Sequence, residues 1–136
     1  MRSVLDVNVL IAALLSPHGA PADIIRLWLA GRFELVVSER LLTELERALR
    51  YEKVRERIPA PDAARFVSLL RIAAPLVRDP PEPARRSRDP DDDYLIALAE
   101  QERALLVSGD RDLLALAGEL PIRSPREFLE ALESLD

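Results

Sequence analysis

Short apolar runs recur along the chain, each followed by a segment whose apolar residues return at helical spacing, and this alternation restricts the fold more than any other feature. "SVLDV", "FELVVS", "ALLVSG" and "LPIRS" read as brief strands, with "PLVRD" as a weaker fifth. Between them "LIAALLS", "ADIIRLWLA", "ERLLTELERALRY", residues 61–74, "YLIALAEQER" and "DLLALAG" read as helices, and "REFLEALESL" closes the chain as another. Strands without a polar face, joined through helices, are buried on both sides. They predict an α/β fold: a three-layer α/β/α sandwich around a central, mostly parallel sheet of four to five strands. The 136 residues suit a single domain over 1–136. Local signals agree, with Pro21 at a helix start, Gly31 at a helix end, Ser38 as an N-cap, and Ser124, Pro125 and Glu127 forming a capping box.

In sheets of this kind ligands bind beyond the carboxyl ends of the strands, so the residues that follow each strand are where chemistry is sought. Asp6 ends the first strand and Asp110 lies just past "LLVS". Glu44 comes about two turns into the helix after the second strand. Asp89, Asp91, Asp92 and Asp93 crowd into five positions at the start of "YLIALAEQER". One aspartate suffices for a cap, so four leave a surplus. Two carboxylates ~5 Å apart at an effective dielectric near 20 repel by roughly 3 kcal/mol. Either some of these acids hold protons or a cation neutralises them.

The residue inventory narrows the cation. The chain has no cysteine and one histidine, His18, which excludes disulfides, thiol catalysis and zinc sites built on cysteine or several histidines. A metal here is held by oxygen, which points to magnesium or manganese. Such an ion activates water for phosphodiester hydrolysis without help from a nucleophilic side chain. A net charge of −5 argues against a broad nucleic-acid footprint. No apolar run approaches the ~20 residues that span a bilayer. Asp6 and Asn8 interrupt the apolar start and no cleavage site follows it, so a cytoplasmic protein with no membrane association is expected.

Each acid also has a purely structural use. Asp6 or Asn8 could cap the helix that follows, and Asp112 is most simply the N-cap of "LLALAG". Within the aspartate cluster, Asp91 is the residue released to capping or solvent. Glu44 and Glu46 border the stripe of Leu41, Leu42, Leu45, Ala48 and Leu49 on opposite sides, and periodicity does not choose between them.

Taken together, "VLDVNVLIAALL", "VVSERLLTELERAL" and "DPDDDYLIALAEQERALLVSGDRDLLAL" resemble the PIN-domain family, most closely the branch that includes the VapC-like toxins of toxin-antitoxin pairs. The resemblance runs in order over nearly the whole chain and is weakest over residues 51–88. It implies a metal-dependent ribonuclease, often a homodimer and often inhibited by a small antitoxin protein. Carried over by position, it assigns catalytic and metal-binding roles to Asp6, Glu44, Asp93 and Asp110. Asp112 becomes a further metal candidate, and Asn8, Asp89, Asp92 and Ser108 supporting residues. Val7 stands where many relatives carry serine or threonine.

The expected activity is therefore endoribonucleolytic cleavage with Mg2+ or Mn2+, on an RNA substrate steered in part by Arg85, Arg86 and Arg88 of the loop beside the acids. Two alternatives remain. An aspartyl-phosphate phosphatase would need an aspartate where Asn8 stands and a lysine near the phosphate, and Lys53 is the only lysine. A non-catalytic PIN-like binding module would bind a partner and cleave nothing.

Overall fold

The computed structural model describes residues 1–135. Four parallel strands form one sheet in the order β2-β1-β3-β4, where β1 is Arg2–Leu5, β2 Glu34–Leu35, β3 Leu105–Val107 and β4 Ile122–Arg123. Among the described residues eight helices flank them: α1 Val7–Leu15, α2 Ala20–Leu29, α3 Glu39–Leu49, α4 Glu52–Arg55, α5 Ala60–Ala73, α6 Pro90–Gln101, α7 Arg111–Leu114 and α8 Pro125–Glu133. The expected α/β architecture is present. The weak fifth strand is not a strand: "PLVRD" contributes a single bridge from Leu76 to Val37. Pro75 cannot donate to a ladder, and Pro80 and Pro81 follow within a few residues, so pairing there stops at one rung.

The core is the two faces of this sheet. Val4, Leu5, Leu35, Leu106 and Val107 are inaccessible to solvent, and Leu10, Leu42, Leu45, Leu70, Leu98 and Phe128 close over them from the helices. Phe33 and Phe128 meet edge to face with ring centroids 5.0 Å apart. α6 packs on β1 and β3 and carries seven buried residues, in keeping with its nearly all-round apolar sequence. No single helix among the described residues is long and apolar enough to cross a membrane.

Topology locates the functional edge. From β1 the chain moves outward to β2, then returns past β1 to β3 and on to β4, so the direction of travel reverses between β1 and β3. Right-handed crossovers place the helices of the two directions on opposite faces, which opens a crevice outside the carboxyl ends of the strands flanking the reversal. Asp6 follows β1 there, and Ser108 and Asp110 follow β3.

Candidate functional site

The register between β1 and β3 builds the floor of the site. Leu5 pairs with Val107, and the next rung brings Asp6 beside Ser108, with the Asp6 amide donating to the Val107 carbonyl at 2.9 Å. The Ser108 hydroxyl donates to Oδ2 of Asp6 at 2.8 Å and accepts from the Asp110 amide at 3.0 Å, so a single buried serine ties the two strand-end acids together. Asp6 also caps α1, with Oδ1 accepting from the Asn8 amide at 3.3 Å. The structural and the chemical readings of Asp6 are thus compatible, since a cap uses one oxygen. Burial pushes the Asp6 carboxyl above its ordinary pKa and the charge of Asp110 adds to this, against the hydrogen bonds from Ser108 and the Asn8 amide.

Around that floor lies a cavity of about 220 Å³. Its acidic lining is Asp6, Glu44, Asp89, Asp91, Asp92 and Asp110, contributed by the ends of β1 and β3, by α3 and by the start of α6. Asn8 lines it as well. The tie between Glu44 and Glu46 is broken by packing: Glu44 faces this cavity, while Glu46 lies on the other side of α3 and pairs with Arg71.

Within the aspartate cluster the structure turns Asp93 away from this cavity. Successive helical residues are turned by about 100°, so only part of the run can face one cavity. Asp91, Asp92 and Leu95 lie on the cavity side; Asp93 does not line it. Asp93 is 2% exposed and turned to the preceding loop, where its Oδ1 accepts from the Arg86 amide at 2.8 Å, the Ser87 amide at 2.7 Å and the Ser87 hydroxyl at 2.7 Å. Its Oδ2 lies 3.1 Å from Nε of Arg85 in an ion pair. Burial alone would raise the Asp93 carboxyl, but these donors outweigh it and hold the group below its ordinary range. Asp93 is a loop anchor.

Asp92 is its opposite. Buried at the cavity, its carboxylate has no hydrogen-bond donor among the described residues. Burial, followed by the charges of Asp110, Asp89, Asp6 and Asp91, pushes it up to about 6. The N-cap of α6 is Asp89, whose Oδ1 accepts from the Asp91 amide at 2.9 Å. Asp91 is left to pair with Arg40 at 3.1 Å. Likewise Asp110, not Asp112, caps α7, its Oδ1 accepting from the Asp112 amide at 2.8 Å. Asp112 turns away from the acidic cavity toward a shallow depression shared with Arg86, Ser87 and Arg88.

The loop arginines are also placed differently from expectation. Arg85 is spent on Asp93 and Arg86 on Glu100, and only Arg88 is without an ion pair among the described residues. None of the three lines the acidic cavity. The basic residue that does is Arg40, alone among the described lining residues. It was legible in principle: Arg40 stands one turn before Glu44 on α3 and therefore on the same face. Lys53, on α4, is not in the lining, so the lysine that a phosphatase would need is missing from the site.

An all-oxygen set of carboxylates in which one member is raised by burial and by its acidic neighbours fits a hard divalent cation. Among the described residues no group of three acidic or histidine side chains stands ready at ligating distance. Gathering them requires rotamer changes. Glu44 would give up a pairing with Arg47 on its own helix, at 3.3 Å, worth at most ~0.5 kcal/mol at a surface.

The PIN-domain model matches residues 2–112, the segment that carries every acid of the cavity. The chain belongs to the PIN-domain family. PIN domains are generally nucleases and usually employ divalent metals. This PIN domain is 26% identical over 143 residues to the uncharacterized protein MJ1680 of Methanocaldococcus jannaschii, covering 98% of this chain and 92% of that one. The crystal structure of PAE2754 from Pyrobaculum aerophilum shares its fold with a TM-score of 0.67 at 20% identity, covering 98% of this chain and 90% of that chain. VapBC2 from Rickettsia felis, solved bound to a DNA fragment from their promoter, matches with a TM-score of 0.61 at 13% identity, over 91% of this chain and 98% of that chain.

Proposed function

We propose that this PIN domain is a magnesium- or manganese-dependent endoribonuclease, acting in the cytoplasm as the toxin of a toxin-antitoxin pair, as a homodimer held in check by a small antitoxin protein. The observation that carries the nuclease reading is the convergence of Asp6, Glu44, Asp92 and Asp110 on one cavity at the sheet reversal, with Asp92 raised by burial and then by the other acids. Family membership and a fold shared with VapBC2 support the toxin reading.

In this mechanism Asp6, Asp92 and Asp110 would hold the ion, with Glu44 completing the set from α3. A bound ion supplies positive charge against the developing negative charge of the phosphodiester and acidifies water. The chain's own contribution is positioning. Ser108 fixes Oδ2 of Asp6, the Asn8 amide fixes Oδ1, and the α7 cap fixes the Asp110 carboxylate, so two acids enter the reaction already oriented. Asp92 releases its proton near pH 6 and is ionised at neutral pH, ready to meet a cation.

The test is cleavage of single-stranded and stem-loop RNAs by the purified chain in MgCl2 or MnCl2, with EDTA as control. The expected result is metal-stimulated cleavage that falls at least 100-fold, about 3 kcal/mol of barrier, in Asp6→Asn and Asp92→Asn. Cleavage surviving in both variants refutes the site. Expression of the chain in a bacterial host tests the toxin role, with growth arrest expected for wild type and none for Asp6→Asn.

A further inference from the structure

Beside the acids, Arg40 and Tyr51 also line the cavity, Arg40 on α3 and Tyr51 just past its end. Arg40, Glu44 and Ala48 recur every four residues and form one wall, which Tyr51 prolongs past the helix terminus. At 1.5 Å per residue, Arg40 lies about 6 Å along the axis on one side of Glu44, and Tyr51 about 10 Å on the other.

Arg40 is held for use. Its guanidinium sits 4.2 Å from the centroid of the Tyr94 ring, and it pairs with Asp91 at 3.1 Å. Tyr94 is itself fixed, since its hydroxyl bonds Ser38 and donates to Asp79 at 2.5 Å. A guanidinium stacked on an immobile ring keeps its edge donors free to turn from a rim carboxylate to a phosphate. The pairing with Asp91 is largely exposed and therefore weak, so exchanging it costs little. Tyr51 is 59% exposed, an aromatic face left open at the mouth of an acidic cavity between Arg50 and Glu52.

Resting on the nuclease reading above, we infer that single-stranded RNA lies along α3, gripped on either side of Glu44 by a phosphate contact to Arg40 and a base stacked on Tyr51. A phosphate contact and a stacked base make the subsite tolerant of sequence but selective for unpaired strands, because duplex RNA buries its base faces. The same arrangement explains how an acidic chain holds a polyanion: the ion and Arg40 meet the phosphates, and Tyr51 adds affinity that needs no charge.

The test uses fluorescence anisotropy of a 5′-fluorescein-labelled single-stranded RNA of about ten nucleotides, in CaCl2, a hard divalent cation that oxygen ligands also hold, with the wild-type chain as the parent and the RNA checked on a gel to be intact after each titration. Adding Tyr51→Ala is expected to weaken binding about tenfold, the loss of one stacked base, and Tyr51→Trp to restore it. One abasic nucleotide scanned along the RNA should reproduce that loss at one position in the parent and add nothing further at that position in Tyr51→Ala. Adding Arg40→Ala should lower the slope of log affinity against log salt by about 0.7, one phosphate contact on a single strand. Unchanged binding by Tyr51→Ala, no rescue by Trp, or an unchanged salt slope with Arg40→Ala overturns the subsite, while metal-stimulated cleavage by the wild-type chain still upholds the nuclease. Absence of cleavage by the wild-type chain instead overturns the reading on which the subsite rests.

Discussion

Asp92→Asn is expected to disarm the chain and to stabilise it at the same time. The folded chain holds the Asp92 proton up to about pH 6, against an ordinary 3.8. Below the lower value both states are protonated and the group contributes nothing. As pH rises toward 6 the unfolded chain gains from ionisation that the folded chain resists, so stability falls, and above 6 the whole penalty is present. The difference corresponds to at most about 3 kcal/mol at neutral pH without metal, less whatever the solvent at the cavity mouth screens. Asparagine nearly preserves the volume, removes the charge, and breaks no hydrogen bond, since Asp92 accepts none among the described residues. For a chain of this length about 3 kcal/mol raises Tm by roughly 10 °C. Melting followed by circular dichroism in EDTA should show Asp92→Asn above wild type by up to that amount at pH 7.5, with the gap closing by pH 4. A variant no more stable than wild type at pH 7.5, or a gap of the same size at both pH values, would refute the electrostatic account of the cavity.

Three other outcomes follow from the same geometry. Saturating MgCl2, at about 100 times its Kd, should stabilise wild type by roughly 3 kcal/mol, and the gain should vanish in Asp6→Asn and Asp110→Asn; a thermal-shift titration measures it. Asp93→Ala should cost ~2–4 kcal/mol in urea denaturation and speed hydrogen exchange at the Arg86 and Ser87 amides, because buried donors and a paired arginine lose their acceptor. As the Asp93 carboxyl is held low, that stabilisation should be complete above its ordinary pKa and disappear as acid titrates the folded group; equal stability of Asp93→Ala and wild type at pH 7 would contradict the anchor role. Tyr94→Phe should lose ~1–2 kcal/mol, as Asp79 and Ser38 lose the hydroxyl between them, with no loss meaning that water replaces it.

Much of this is legible in the sequence. The alternation of strands and helices predicts the parallel sheet because strands covered on both faces must be apolar throughout, and the capping box at Ser124 appears as expected, with the Glu127 carboxylate returning to the Ser124 amide. The cap readings that failed did so by small displacements. Asp110 caps α7 in place of Asp112, and Asp89 caps α6, because a helix start is a backbone event that several adjacent aspartates satisfy equally well in sequence. "PLVRD" reads as a strand from its apolar residues, but prolines limit it to one bridge.

Composition alone determines the kind of chemistry: with no cysteine, one histidine and a surplus of aspartates, any metal is bound through oxygen. Order along the chain determines which strand ends carry acids. The tertiary structure alone decides which carboxylates share a cavity. Asp92 and Asp93 are chemically identical neighbours separated by about 100° around α6, and packing turns one toward repelling charges and the other toward three donors and an arginine. Arg40 and Tyr51 acquire meaning in the same way, since only the seating of α3 beside α1 brings them to the mouth of the site.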